Sequence, residues 1–232
     1  VILNSLVHQE LIQRKLVADF SRFSGRLGIL GGSFDPIHSM HLGICSDLLG
    51  KVVDNVVFIP AAQNPLKVNR PTADNDRLAM LLLAVEQYEN FFVSAIELER
   101  GGSSYTVETF RQLRLLVKPE VELVLIVGSD CLQQLKSWFA IEELFTLARI
   151  VVVQRDEEKG LHQWQAEIAA LPLSAAARQK LKDNFQLREV NQVSSTKIRG
   201  AKAGNICLAD LPAVVAQYIT SRGLYQSMHT SV

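Results

Sequence analysis

His38 and His41 stand three residues apart, shortly after the glycine pair Gly31-Gly32 and the dipeptide Asp35-Pro36. The apolar run Leu27 to Leu30 before them reads as a buried strand. Asp35 reads as a helix N-cap rather than a catalytic acid, and Pro36 as the first helical residue. Glycines at a strand end let backbone N–H groups face outward, and the helix behind adds its positive end, which together make a site for phosphate. Histidines at i and i+3 project from one helix face toward the same anion. Two imidazoles aimed at a polyphosphate suit the stabilisation of charge on a transferring group better than the binding of a metal. Neither Gly-x-Gly-x-x-Gly nor Gly-Lys-Ser/Thr follows this strand, so a dinucleotide fingerprint and a P-loop are both excluded here.

Positioning such groups takes strands that end on one side. Strand-like runs fall at Arg26–Leu30, Val52–Ile59, Phe91–Leu98, Val121–Val127, Arg149–Gln154 and Phe185–Val190. Helical patterns fall between them at Pro36–Leu49, Asp74–Tyr88, Val107–Leu116, Ala140–Ala148, Leu161–Ala170 and Leu211–Arg222. Runs such as Ile150-Val151-Val152-Val153 lack alternation, as expected when both sheet faces are covered. The expected fold is α/β, a doubly wound, mostly parallel sheet of Rossmann-like kind. Ligands of such sheets sit beyond the carboxyl ends of the strands. The telling residues lie there: the glycine loop, Gly128-Ser129-Asp130, and Val193-Ser194-Ser195-Thr196. Residues 1–25 read as an amphipathic helical extension stopped by Gly25, residues 26–226 as the main domain and 227–232 as a tail.

Among 232 residues, 24 basic side chains balance 24 acidic ones, which argues against a nucleic-acid-binding face. No apolar run approaches membrane-spanning length and no signal-peptide pattern opens the chain. Cys45, Cys131 and Cys207 are scattered, which fits a reducing, cytoplasmic setting better than disulfides or zinc.

The chain resembles the nucleotidyltransferases of the His-x-Gly-His superfamily and, more narrowly, the bacterial nicotinate-nucleotide adenylyltransferases. The resemblance runs over roughly residues 26 to 226 through GGSFDPIHSMHL at 31–42, PAAQNPLK at 60–67, DRLAMLLLA at 76–84, ELERGGSSYTVETF at 97–110, VGSDCLQQLKSWFAIEELFTLARIVVVQR at 127–155, VSSTKIR at 193–199 and LPAVVAQYITSRGLY at 211–225. It implies adenylyl transfer from ATP to nicotinate mononucleotide, giving deamido-NAD and pyrophosphate in NAD biosynthesis, with Mg2+ carried on the ATP phosphates. It implies that the Gly31, Gly32, Ser33 and Phe34 backbone, with His38 and His41, holds the ATP phosphates. Lys67 would reach the reacting phosphates, and Ser194, Ser195 and Thr196 would form a second cradle capped by Arg199. Asp130 would bond a nucleotide ribose. Trp138 would stack on the nicotinate ring, and Tyr105 and Thr106 would meet its carboxylate. Charge-assisted bonding at a helix start then favours the acid over the amide. ATP and nicotinate mononucleotide are the expected partners, with a homo-oligomer left open.

Chemistry alone leaves some of these residues with plainer readings. Trp138 serves equally as a core anchor, Lys67 as a solvated loop charge, and Ser195 and Thr196 as helix caps. Glu97 and Glu99 share a strand face without marking an acid–base pair. Met40 stands where the superfamily pattern has glycine, so its side chain either crowds the adenine or turns aside. Two rival functions follow: a relative using another phosphate acceptor such as phosphopantetheine, and a non-catalytic nucleotide-binding or interaction protein weakened by Met40.

Overall fold

The computed structural model describes residues 6–66, 71–154, 160–187 and 210–225. Six strands, β1 (Arg26–Gly32), β2 (Asn55–Pro60), β3 (Phe91–Val93), β4 (Glu122–Gly128), β5 (Arg149–Val153) and β6 (Phe185–Gln186), form one sheet in the order β3-β2-β1-β4-β5-β6. Every pairing is parallel. The strand order reverses between β1 and β4, the switch point of a doubly wound sheet.

Alternate strand residues enter two separate cores, which explains the unbroken apolar runs. Leu30, Val56, Phe58, Ile126 and Val151 join one cluster with residues of α1 (Leu6–Lys15), α2 (Ser39–Leu48) and α3 (Asp74–Val85), and of the last helix, Ala213–Arg222. Leu27, Ile29, Val57, Leu125 and Val152 join the other. That face is covered by α5 (Thr106–Leu116), α6 (Ile141–Leu147), α7 (Leu161–Ala170) and α8 (Ala175–Asp183), with a short α4 (Ile96–Arg100) preceding α5. Ala213–Arg222 is therefore α9.

Several boundaries differ from the sequence expectation. The N-terminal helix stops at Lys15 rather than running to Gly25. Leu16 then bridges Val93, and the Val17 N–H donates to the Val93 carbonyl at 2.8 Å, so this segment pairs with the outer edge of β3. Lys15 makes the break: its buried ammonium reaches back to the Tyr88 and Phe91 carbonyls beyond α3. An otherwise open edge is covered by the chain's own start. The strand expected over Phe91–Leu98 ends at Val93, and Ile96–Arg100 is helical. Helix α8 lies in a stretch where the sequence suggested no element. No helix among the described residues is long and apolar enough to cross a membrane.

Candidate active site

The switch point opens because its two strands part company. The β1–β4 ladder ends at the pair Ile29–Leu125. Beyond it β1 continues on β2 as far as Gly32–Pro60, and β4 continues on β5 as far as Gly128–Val153. The carboxyl ends of β1 and β4 thus stand apart with their loops on either side of a cleft. Gly31, at that end of β1, is exposed, and a Cβ built on it would meet nothing within 4 Å. Gly32 differs: a Cβ there would come within 3.3 Å of the Phe34 ring. One glycine leaves room above the sheet, while the other makes room for the residue that turns the chain.

That turn overturns the expected helix start. Phe34 has a φ of 44° and the Asp35–Pro36 peptide is cis. Helix α2 begins at Ser39, with His38 as its extended N-cap. Asp35 does not cap, because its carboxylate is committed to tertiary partners: the Tyr225 hydroxyl donates to it at 2.6 Å and the Thr72 N–H at 3.2 Å. His38 and His41 remain together, their rings stacked with centroids 3.7 Å apart. The His38 N–H donates to His41 Nδ1 at 3.3 Å. In its neutral form His41 therefore carries its proton on Nε2, as a donor. The Phe34 ring, buried against Phe58, meets His41 edge-on at 5.1 Å and braces it. Met40 turns aside into the core formed with α9 and is buried.

Beneath this loop lies Arg77 of α3, a fully buried cation that sequence reasoning missed. Its guanidinium donates to the Ser33 carbonyl at 2.8 Å and the Thr72 carbonyl at 3.0 Å, and pairs with Asp74. Thr72 is thus held through both backbone groups, by Asp35 and Arg77. Immediately before Arg77 in α3, Asp76 accepts from the Tyr218 hydroxyl at 2.8 Å and from Arg222 at 3.3 Å, tying α9 down. Burial and the Asp76 carboxylate push the Tyr218 phenol up to about 12. An arginine three residues after a helix-starting aspartate carries no sequence mark of such a role.

Across the cleft, Ser129 is buried and Asp130 exposed at the start of a 3-10 run (Ser129–Ser137) after β4. Trp138 follows, half-buried against the second core. Its neighbour Phe139, 55 % exposed, packs on Tyr105 with ring centroids 5.2 Å apart. The Tyr105 and Trp138 segments therefore meet at one rim of the cleft, with Tyr105 as N-cap of α5 and Thr106 its first residue. Glu97, expected on a strand face, is instead buried in α4. There its carboxylate accepts from the Thr109 hydroxyl at 2.6 Å and bonds the Ser104 hydroxyl. Burial raises its pKa against these hydrogen bonds and the charge of Arg100. Lys67, Ser194, Ser195, Thr196 and Arg199 lie outside the described residues. Among the described residues no three His, Cys, Asp or Glu side chains gather as a metal cage.

Comparisons with known proteins agree with this fold. A cytidylyltransferase-like family model matches residues 29–201. A probable nicotinate-nucleotide adenylyltransferase of Mycolicibacterium vanbaalenii is 37 % identical over 210 residues, 87 % of this chain and 92 % of that protein. One from Herpetosiphon aurantiacus is 38 % identical over 205 residues, 86 % and 98 % of the two chains. Among solved structures, Plasmodium falciparum nicotinic acid mononucleotide adenylyltransferase complexed with NaAD superimposes with a TM-score of 0.65 at 16 % identity, covering 87 % of this chain and 97 % of that one. At that identity the likeness speaks for the fold.

Proposed function

The chain belongs to the cytidylyltransferase-like family and, within it, to the nicotinate-nucleotide adenylyltransferases, and we propose that it transfers the adenylyl group of ATP to nicotinate mononucleotide. The observation that carries this reading is the parting of β1 and β4 above Gly31, with the stacked His38 and His41 at the mouth of α2. A phosphate there would meet strand-end backbone, the positive end of a ten-residue helix and an Nε2–H donor.

A phosphate oxygen of nicotinate mononucleotide attacks the α-phosphorus of ATP in line. The new P–O bond forms as the bond to the β-phosphate bridging oxygen breaks, and pyrophosphate leaves with that electron pair. No covalent enzyme intermediate is needed, so the work of the protein is alignment and neutralisation of charge. His38, His41 and the Gly31–Phe34 backbone hold the triphosphate, and Asp130 a ribose hydroxyl. By resemblance, Lys67 and Arg199 balance the reacting and leaving phosphates, and Ser194, Ser195 and Thr196 cradle them. Tyr105, Thr106 and Trp138 take the nicotinate ring; the meeting of their two segments through Phe139 supports this. Mg2+ would ride on the ATP phosphates and lower their charge. Residues 26–226 would form the catalytic domain, at work in the cytoplasm.

A panel of acceptors with ATP and Mg2+ tests the reading by pyrophosphate release and product mass. Nicotinate mononucleotide is expected to exceed its amide in kcat/KM by at least about tenfold, the worth of one charge-assisted bond. Equal efficiencies would remove the specificity argument. Turnover of phosphopantetheine alone, or ATP binding without turnover, would overturn the function.

A further inference from the structure

The turn that carries Tyr105 cannot hold itself in place. Gly101 and Gly102 follow α4 at φ values of 68° and 69°, and a Cβ on either would meet nothing within 4 Å. Two successive glycines in open space leave the next three residues free to swing unless something outside the turn fixes them. Three contacts do so, and they converge on Ser104. Its N–H donates to the Gln63 carbonyl at 2.8 Å. Its hydroxyl oxygen accepts the Ala62 N–H at 3.0 Å and shares a hydrogen bond with the buried Glu97 carboxylate.

Glu97 is itself anchored. Thr109, one turn into α5, donates to it at 2.6 Å, and Arg100 donates to Thr109 at 2.9 Å and to Gln112 at 3.1 Å. The carboxylate therefore grips the helix and the turn at once. The neighbouring Ala61 N–H donates to the Gly32 carbonyl at 2.8 Å, so the same short stretch after β2 touches the phosphate loop. A carboxylate suits this place because it accepts at both oxygens. An amide of the same shape would point an NH2 at one of two hydroxyls now serving as donors.

We propose that Glu97 is a positioning residue for the acceptor half of the site, acting through Ser104 to set where Tyr105 and Thr106 meet the ring carboxylate. This rests on the assignment of nicotinate mononucleotide as acceptor. Glu97 touches no substrate, and its effect is on the recognition of one reactant.

Steady-state kinetics of Glu97→Gln and Ser104→Ala, with circular dichroism to check folding, test it. In both variants KM for nicotinate mononucleotide rises about tenfold, as for one lost bond to a charged group, and the preference over the amide narrows in step. KM for ATP stays within about twofold, because the network meets the phosphate loop only through the backbone bond from Ala61 to Gly32, which neither variant removes. An unchanged KM for nicotinate mononucleotide in the folded variants, or an equal rise for ATP, overturns the proposal. Should Glu97→Gln fail to fold, Ser104→Ala alone decides, since it removes the link and leaves the Glu97 carboxylate in place on its Thr109 bond. Wild-type enzyme that ignores nicotinate mononucleotide would remove the acceptor assignment and this proposal together. Normal wild-type turnover with unaltered variants removes only the role of Glu97.

Discussion

On the β1 side of the cleft the wall is backbone, held from below by buried charge; on the α5 side it is a turn, held from behind by hydroxyls. Arg77 and Asp35 grip carbonyls and N–H groups of residues 33 and 72 directly. Glu97 reaches its turn only through Ser104 and Thr109. The contrast follows the ligands proposed for each side. A triphosphate takes strong, fixed donors and tolerates little displacement, because charge develops on it during transfer. An aromatic ring with one carboxylate asks for an adjustable rim. Removing a group from the first side should therefore lower turnover or unfold the loop, whereas removing one from the second should alter selectivity.

The largest effect is expected at His41, where replacement by alanine lowers kcat by about 10²–10³-fold, the usual loss for one preorganised donor. The melting temperature of His41→Ala stays close to wild type, since the ring is half-buried at the helix mouth. Turnover near normal would strip His41 of its place in the mechanism. Next comes Arg77→Met, which leaves the Ser33 and Thr72 carbonyls without their donor and destabilises the fold by about 3 kcal/mol in urea titration. A loss under roughly 1 kcal/mol would mean that water or a neighbour replaces the guanidinium. The smallest effect concerns pH. Burial raises the Glu97 pKa, so the folded chain holds that proton more tightly than the unfolded one. Its contribution is thus favourable at low pH and is lost as pH climbs from the ordinary glutamate range through the raised value. Urea unfolding of Glu97→Gln against wild type, from about pH 4 upward, should show the difference shifting toward the variant as pH rises. An opposite trend would mean that Thr109, Ser104 and Arg100 outweigh burial.

The scaffold was legible because its signals are local. Unbroken apolar runs announce a sheet buried on both faces, and glycines and polar residues gather where those runs end. The spacing of His38 and His41 announced that their rings would lie together, though not that His38 would stand outside the helix as its N-cap. Asp35 was misread because Asp-Pro before an apolar helix looks like a cap, while its real partners, Thr72 and Tyr225, lie 37 and 190 residues away. Arg77 was missed for the same reason, since the Ser33 carbonyl that it holds lies 44 residues away. Glu97 was missed because its segment reads as a strand, although its partners Ser104 and Thr109 lie close by in the sequence. The strand expected through Leu98 failed because the apolar residues Ile96 and Leu98 fit a strand and a one-turn helix equally well.

The central claim is that ATP phosphates occupy the space over Gly31, and Gly31→Val tests it most directly. The strand conformation and the empty surroundings allow a side chain there without folding strain, so thermal stability and KM for nicotinate mononucleotide should hold. KM for ATP should rise about tenfold or more, as a branched side chain displaces a charged group from its backbone donors. Unchanged KM for ATP in the stable variant would contradict the claim, since the triphosphate would then lie elsewhere.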